Sequence, residues 1–210
     1  MPPAQAAHPF SQVEFQISAA DLDGLPGDGL PEVAFVGRSN VGKSSALNAL
    51  ANRKRLAFVS KTPGRTQLIN FFSLGPGARL VDLPGYGYAK VPIGLRDAWG
   101  RLVGGFLETR RELVGVVSIM DARHPFMPLD RQLLGWLARS PLHLQSGRKL
   151  LVLLSKSDKL TRSEQGRLLP AVERELRTLG LPGECRLFSS INRQGVEETR
   201  AQIEGWLAPK

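Results

Sequence analysis

Residues 37–44, GRSNVGKS, combine small residues, a lysine and a serine at a spacing that can hold phosphate groups. The segment follows an apolar run and precedes a helical pattern, which is the context of a phosphate-binding loop. Glycines let the backbone turn successive N–H groups inward, beside the positive end of a helix. We therefore predict that Lys43 reaches the β- and γ-phosphates of a nucleoside triphosphate and that the Ser44 hydroxyl binds Mg²⁺.

An aspartate ends the apolar run in residues 81–90, VDLPGYGYAK, and is followed by Pro-Gly. This pattern predicts the part of a phosphate site that senses the metal ion and the terminal phosphate. Tyr86 stands where many GTPases carry a glutamine that positions the attacking water. A phenol ring cannot hold water as an amide does, so we expect Tyr86 to pack against its neighbours. We therefore expect slow intrinsic hydrolysis of the nucleotide and activation by a group outside this segment.

The segment SKSDK, residues 155–159, follows the apolar run KLLVLL at the sheet edge where ligands collect. The Asp158 carboxylate can accept two hydrogen bonds from guanine N1–H and the 2-amino group, so we predict GTP rather than ATP. Lys156 is expected to lay its aliphatic stem over the base and leave its charge in water. The alternative is that Ser157 or Asp158 caps the following helix. Later in the chain, FSS at residues 188–190 could offer backbone N–H groups to guanine O6.

These motifs lie in a chain of 210 residues that alternates short apolar runs with helical patterns. The alternation predicts an α/β fold with a mostly parallel central sheet, one antiparallel strand and helices on both faces. Together with the phosphate-binding loop and the base-recognition segment, this predicts a P-loop NTPase G domain. QLINFFSLG is expected to pair antiparallel with ARLVD through a Gly-Pro-Gly turn. We divide the chain into an N-terminal tail and edge strand, residues 1–30, and a single GTP-binding domain, residues 31–210.

Several details concern single elements. In the first part of the chain, VEFQIS is expected to form a half-buried strand through Val13, Phe15 and Ile17, after a loose tail over residues 1–11. Helices are expected from residue 43 to about 52, from about 128 and from about 163.

Two further residues carry specific expectations. Pro170 is expected to break or delay the helix that begins near residue 163, because proline lacks a backbone N–H. Cys185 is expected to be a small core residue, since a single cysteine cannot form an internal disulfide. The three scattered histidines show no metal-ligand spacing.

The charge distribution favours a polyanionic partner. Lys and Arg outnumber Asp and Glu by 28 to 19, a formal net charge of +9. No acidic residue occurs in residues 33–81, whereas eight basic residues do: Arg38, Lys43, Arg53, Lys54, Arg55, Lys61, Arg65 and Arg79. A nucleotide would use one or two of these charges, so the remainder favour a larger partner such as RNA. The alternative is a solvated basic face that only aids solubility.

The apolar runs at residues 113–120 and 150–154 are too short to span a bilayer, and the first twenty residues lack a basic-then-apolar signal pattern. We therefore expect a cytoplasmic protein without membrane contact. A monomer is the simplest expectation for a small switch protein.

Five segments together resemble the guanine-nucleotide motifs of the EngB family of small GTP-binding proteins, in the same order and over nearly the whole chain: GRSNVGKSSALN, TPGRTQ, VDLPGYGYAK, SKSDK and FSS. Residues 121–132, DARHPFMPLDRQ, also resemble a stretch typical of that family. The resemblance implies a bacterial GTPase needed for assembly of the large ribosomal subunit and linked to normal cell division and septation. Ser155 departs from the family, which usually has threonine there. Because the hydroxyl is kept, we expect guanine binding to persist.

The resemblance also assigns roles to residues. Thr66 would complete Mg²⁺ coordination when the γ-phosphate is present, Asp82 would hold the Mg²⁺ shell through water, and the Gly85 N–H would touch the γ-phosphate. Hydrolysis is then expected to release residues 53–67 and the segment after Gly85. The simpler alternative is that Thr66 begins a strand and Pro84-Gly85 only turns the chain.

Asn40 resembles the asparagine of GTPases that bind K⁺ beside the β- and γ-phosphates, where the ion neutralises developing charge. The alternative is that Asn40 only stabilises the loop by hydrogen bonding. The predicted catalytic residues are Lys43, Thr66, Gly85 and Asn40, and the predicted metal ligands are Ser44, Thr66 and Asp82. The predicted contacts to GTP or GDP are Gly37, Arg38, Ser39, Asn40, Val41, Gly42, Lys43, Ser44, Ser45, Gly64, Arg65, Thr66, Gln67, Leu68, Asp82, Leu83, Pro84, Gly85, Ser155, Lys156, Ser157, Asp158, Phe188, Ser189 and Ser190.

Three functions compete at this stage. The first is a slow GTPase whose GTP form engages a large-subunit precursor, that is ribosomal RNA and ribosomal proteins, and whose hydrolysis releases it. The second is a nucleotide-gated interaction module of the division machinery, with catalysis secondary. The third, an ATP-dependent nucleotide kinase, would need a catalytic lid and an acceptor site, neither of which the sequence suggests.

Overall fold

The computed structural model describes residues 9–57, 68–87, 93–140, 147–181 and 183–208, without the side chains of residues 93–99. In these ranges seven strands form one sheet. The strands are β1 (Glu14–Ala19), β2 (Glu32–Gly37), β3 (Ile69–Ser73), β4 (Arg79–Asp82), β5 (Leu113–Asp121), β6 (Lys149–Ser155) and β7 (Glu184–Leu187).

The sheet has the order β1-β3-β4-β2-β5-β6-β7. Strand β3 runs against its two neighbours, β1 and β4. All other pairings, from β4 through β2, β5 and β6 to β7, are parallel. The predicted fold class is therefore confirmed, including the single antiparallel strand and its short connection to β4, which is a 3₁₀ turn over Gly75–Gly77.

Helices cover both faces of the sheet. They are α1 (Lys43–Leu50), α2 (Ile93–Thr109), α3 (Pro128–Arg139), α4 (Arg162–Thr178) and α5 (Val196–Leu207). Successive side chains of β2 alternate between the faces, so that Val33 and Phe35 pack with α1 and α5 while Ala34 and Val36 pack with α2, α3 and α4. Both faces of β2 are buried, and the loop that follows it leaves the carboxyl edge of the sheet between β4 and β5.

The start of the chain departs from the sequence-based expectation. Within the supposed loose tail, residues 9–12 form a 3₁₀ turn in which Phe10 is fully buried beneath the Arg200 guanidinium. Residues 1–8 lie outside the described residues. Strand β1 forms as predicted, and Val13, just before it, is fully buried, but Phe15 and Ile17 are 56% and 46% exposed. The expected half-buried face is therefore correct at Val13 and wrong at Phe15 and Ile17, because β1 is the outermost strand and a bulge between these two residues breaks its regular pairing with β3.

The expected break at Pro170 is also wrong, because α4 continues through this residue. The hydrogen bond that proline cannot make belongs to the carbonyl of Gly166, one turn earlier. Both Pro170 and Gly166 are exposed, so water can satisfy that carbonyl. Cys185 is only partly buried against the core, and burial raises the pKa of its thiol to about 11. No helix in the described ranges is long and apolar enough to cross a membrane.

Candidate nucleotide-binding site

The phosphate loop begins where β2 ends. At Gly37 a Cβ would lie 2.6 Å from the carbonyl oxygen of Ile119 on β5, so the loop can leave the sheet here only with glycine. Gly42 has a φ of +102° and directly precedes α1, which begins at Lys43 as predicted. The loop therefore runs onto the N-terminus of a helix, where free N–H groups and the helix dipole favour a bound anion.

Lys43 meets the second motif directly. Its Nζ donates to Oδ1 of Asp82, and Asp82 is 7% exposed at the end of β4, the strand next to β2. The ammonium and the carboxylate balance each other at a partly buried position. A phosphate would compete for Lys43 and a cation for Asp82. Ser44 follows Lys43 in the same turn, and the oxygen ligands of Ser44 and Asp82 are of the kind that Mg²⁺ prefers.

Backbone hydrogen bonds join the phosphate loop to the segment after Asp82. The N–H of Tyr86 donates to the Gly37 carbonyl at 3.3 Å, and the N–H of Ser39 donates to the Tyr86 carbonyl at 2.8 Å. The Ser39 hydroxyl also reaches the Tyr86 carbonyl, at 3.2 Å. These bonds extend the parallel pairing of β2 with β4 beyond the sheet, so that Pro84 and Gly85 lie beside the phosphate loop.

The ring of Tyr86 is buried, with 5% of the residue exposed, and its hydroxyl donates to Asp130 Oδ1 at 2.8 Å. Burial, with the nearby Asp130 charge, raises the pKa of Tyr86 far above its usual value. The prediction that Tyr86 packs instead of holding water agrees with this position. The partner is a residue of α3 that the sequence-based site omitted.

Ser155 and Lys156 connect the base-recognition segment to the phosphate loop. The Ser155 hydroxyl lies within hydrogen-bonding distance of the carbonyls of Val41 and Met120. The Lys156 ammonium donates to the Asn40 carbonyl at 2.8 Å and to Asp121 Oδ2 at 2.9 Å. The Lys156 side chain is 34% exposed, so its charge can keep contact with water while it also holds the phosphate loop. Its place over the base stays a prediction.

Asp158 is held ready to accept hydrogen bonds. The Ser189 hydroxyl donates to Asp158 Oδ1 at 2.6 Å, and this bond keeps the pKa of Asp158 below its usual value. The alternative that Ser157 or Asp158 caps the next helix is wrong, because Thr161 is the N-cap of α4. Ser157 is fully buried and donates instead to Gln194 at 2.7 Å. The segments at residues 155–158 and 188–190 thus meet as the sequence predicted.

The predicted site omitted three residues that support it: Asp121, Asp130 and Gln194. Asp121 and Asp130 lie in the stretch at residues 121–132 that resembles the family, but they were given no role. Asp121 is the last residue of β5. Its carboxylate accepts hydrogen bonds from the Arg123 guanidinium, at 2.7 Å, and from the Lys156 ammonium. Burial alone would raise the pKa of Asp121, but these hydrogen bonds outweigh burial and hold the pKa well below its usual range. Its position at the carboxyl end of a parallel strand was a usable signal. Nothing in the sequence pointed to Gln194.

The remaining predicted contacts are distributed as follows. Val41, Leu83 and Phe188 are buried, so their side chains serve the core, while Leu68 and Ser45 are half-buried and Ser190 is exposed. The N–H of Leu83 donates to the Phe35 carbonyl and is used within the fold. The predictions for Gly64, Arg65, Thr66 and Gln67 lie outside the described residues.

The basic segment divides into two groups. Arg38, Lys43 and Arg79 are neutralised within the fold, because they face Asp130, Asp82 and Asp28 respectively. Residues 53–55, Arg-Lys-Arg, are exposed on the stretch that follows α1. Arg53 has a carboxylate oxygen of Glu14 at 3.8 Å, a surface pair of little energetic weight. Lys61 and Arg65 lie outside the described residues.

A phosphate loop that runs onto a helix N-terminus, with a lysine–aspartate pair beside it, is the arrangement of a P-loop nucleotide-binding domain. A family model described as 50S ribosome-binding GTPase matches residues 32–156. The chain belongs to the EngB family of GTP-binding proteins, as its relatives show.

The "Probable GTP-binding protein EngB" of Aromatoleum aromaticum is 52% identical over 94% of this chain and 89% of its own length. The protein of the same name from Azoarcus sp. is 52% identical over 95% of this chain and 93% of its own. That of Salmonella paratyphi C is 46% identical over 95% and 92%.

Solved structures share the fold. The crystal structure of a probable GTP-binding protein engB covers 84% of this chain and 98% of its own, with a TM-score of 0.63 and 18% identity. Era in complex with MgGDPNP and nucleotides of 16S ribosomal RNA covers 86% of this chain and 58% of its own, with a TM-score of 0.62 and 21% identity.

Proposed function

We propose that the protein is a slow, cytoplasmic GTPase that acts as a nucleotide-gated switch in assembly of the large ribosomal subunit. Its GTP form engages a precursor particle, and hydrolysis releases it. The observation that carries this proposal is the exposed basic run at residues 53–55, which directly precedes the segment that contains Thr66. The match to a family of 50S ribosome-binding GTPases supports the same partner.

In this proposal the Lys43–Asp82 ion pair opens when nucleotide binds. Lys43 turns to the β- and γ-phosphates, and Asp158 accepts the hydrogen bonds of the guanine base. Ser44, Thr66 and, through water, Asp82 would hold Mg²⁺, which supplies positive charge to the phosphate oxygens. Loss of the γ-phosphate would remove the contacts of Thr66 and Gly85, so the switch would relax.

Slow turnover is argued from Tyr86. Its side chain is buried and its hydroxyl is already bonded to Asp130, so it offers no group to a water at the γ-phosphate. Phosphoryl transfer depends mainly on positioning and charge stabilisation. Faster hydrolysis would then need a further positive charge to stabilise the transition state, and either a bound cation or the partner particle would supply it.

Asn40 is the candidate for recruiting K⁺. Its backbone has a φ of 67° and its side chain is exposed, with no hydrogen bond to residues in the described ranges. This favours the cation role over loop stabilisation. We expect hydrolysis to be roughly tenfold or more faster in KCl than in matched NaCl, because a bound cation stabilises developing charge.

The variant Asn40→Gly keeps access to a positive φ and removes the amide together with its methylene group. Multiple-turnover phosphate release should then lose its preference for KCl. Equal wild-type rates in the two salts would rule out K⁺ stimulation and leave the partner particle as the source of activation.

The basic run is tested by charge reversal at Arg53, Lys54 and Arg55. Binding to large-subunit particles should fall at least about tenfold, because these contacts are electrostatic. GTP affinity should be unchanged, since the described bond from residues 53–55 to a nucleotide motif joins the Arg53 backbone N–H to the Asn48 carbonyl, and charge reversal leaves the backbone in place. Charge reversal at three exposed arginines of α4, Arg162, Arg167 and Arg174, is the matched control for net charge.

Equal losses from the two triple variants would show that net charge alone drives the association. Unchanged binding after reversal of residues 53–55 would contradict the assigned RNA surface. Capture of division proteins without ribosomal RNA would favour the alternative function in cell division and septation.

A further inference from the structure

Asp130 is a buried charged residue that no guanine-nucleotide motif includes. Its side chain is fully buried near the start of α3. Oδ2 accepts from the backbone N–H of Met127 at 3.0 Å, and Oδ1 accepts from the Tyr86 hydroxyl at 2.8 Å. The Arg38 Nε lies 3.3 Å from Oδ2, close enough for an ion pair.

Two of these partners belong to the phosphate site. Arg38 is the second residue of the phosphate loop, and Tyr86 directly follows Gly85. Their backbones already pair with each other. Asp130 therefore joins the two segments through their side chains as well, and it ties both to α3, a helix outside the motifs.

Helix capping alone does not account for Asp130. The bond from Met127 is that of an N-cap box and occupies Oδ2. A carboxylate without charge or hydrogen-bond partners would be costly at a fully buried position. The Tyr86 hydroxyl and the Arg38 guanidinium supply those partners. Both residues belong to segments of the phosphate site, so the contacts of Asp130 connect α3 to that site.

We propose that Asp130 is a positioning residue for recognition of the γ-phosphate. By holding Tyr86 and Arg38, it keeps Gly85 beside the phosphate loop before nucleotide arrives. The Gly85 N–H is then in place for the γ-phosphate without first having to be ordered, which favours GTP over GDP. This inference rests on the contact between Gly85 and the γ-phosphate proposed above. If Asp130 holds Tyr86, the segment that is released on hydrolysis begins after Tyr86 and not, as the motif predicts, directly after Gly85.

The test compares Tyr86→Phe and Asp130→Asn with the wild type. Tyr86→Phe removes only the hydroxyl and keeps the ring. Affinities for GDP and for a non-hydrolysable GTP analogue are measured by calorimetric titration with Mg²⁺. We expect the affinity for the analogue to fall about tenfold in both variants, the value of one hydrogen bond to a charged group, with little change for GDP.

Ile203→Ala is the matched control. Ile203 packs α5 into the core on the face of the sheet opposite Tyr86 and α3, so this variant lowers stability while leaving the contacts of Asp130 in place. Its ratio of analogue to GDP affinity should equal that of the wild type. Equal losses for both nucleotides in Tyr86→Phe and Asp130→Asn, or a shifted ratio in Ile203→Ala, would assign Asp130 a merely structural role and overturn the proposal.

Hydrogen exchange of the nucleotide-free protein tests whether Asp130 holds residues 84–87 in place, independently of whether Gly85 recognises the γ-phosphate. Peptides that span residues 84–87 should exchange faster in Tyr86→Phe and Asp130→Asn than in the wild type. Unchanged exchange would show that Asp130 does not hold these residues in place. Faster exchange with an unchanged affinity ratio would instead contradict both γ-phosphate recognition through Gly85 and the role assigned to Asp130, while leaving guanine binding and the ribosomal proposal standing.

Discussion

At the scale of single residues, side chains far apart in sequence complete one another in this site. Ser189 orients the Asp158 carboxylate, and Asp121 orients the Lys156 ammonium. The sequence predicted Lys156, Asp158 and Ser189 because each lies in a recognisable segment. It could not predict their partners, since the pairing of Asp121 with Lys156 depends on strands β5 and β6 lying side by side.

Asp158 gives the sharpest prediction at this scale. In Asp158→Asn the amide oxygen can still accept from Ser189, but an NH₂ group would face the guanine donors. GDP affinity should fall on the order of a hundredfold, because two hydrogen bonds to a charged acceptor are lost. Xanthosine diphosphate, which has a carbonyl where guanine has the amino group, should bind more tightly to the variant than to the wild type.

Fluorescence titration with both nucleotides checks this exchange of base preference. Ser190→Ala is the control, because it keeps the backbone N–H of this predicted contact and removes only an exposed hydroxyl that has no described hydrogen bond to Asp158. If Asp158→Asn keeps wild-type affinity for GDP, Asp158 is not the residue that reads the base.

At the scale of elements, the sequence predicted which segments are strands and helices better than how they are buried. Alternating apolar residues marked β1 correctly, but burial of Phe15 and Ile17 depends on what covers an edge strand, which no local pattern records. Helix α3 begins at Pro128 as expected, since proline suits the first turn of a helix. The predicted break at Pro170 was wrong because it took no account of water, which can bond to the Gly166 carbonyl that proline leaves without a helical partner.

Pro170 therefore predicts a gain in stability. In Pro170→Ala the N–H can bond to the Gly166 carbonyl, so the free energy of unfolding should rise by about 1–3 kcal/mol. Urea unfolding measured by circular dichroism gives this value. Gly205→Ala, at an exposed position of α5, reports the gain from helix propensity alone, about 0.5–1 kcal/mol. A lower stability for Pro170→Ala would show that the proline stabilises α4 as it stands.

At the scale of the whole molecule, the parallel sheet brings the motifs to one edge. The ends of β2, β4 and β6 carry the phosphate loop, Asp82 and Ser155 respectively, and the pairing of these strands sets their order. Strand alternation in the sequence was enough to predict this arrangement. The net charge was less informative, because three of the eight basic residues in the acid-free segment turn out to be paired inside the fold.

The central claim is that guanine nucleotide gates an association with the large ribosomal subunit. The most direct test is cosedimentation of the purified protein with large-subunit particles at one fixed salt concentration, in a non-hydrolysable GTP analogue, in GDP and without nucleotide. We predict that the analogue gives the most binding and that charge reversal at residues 53–55 abolishes the difference. Equal binding in all three states, or none in any state while guanine binding is intact, would contradict the account.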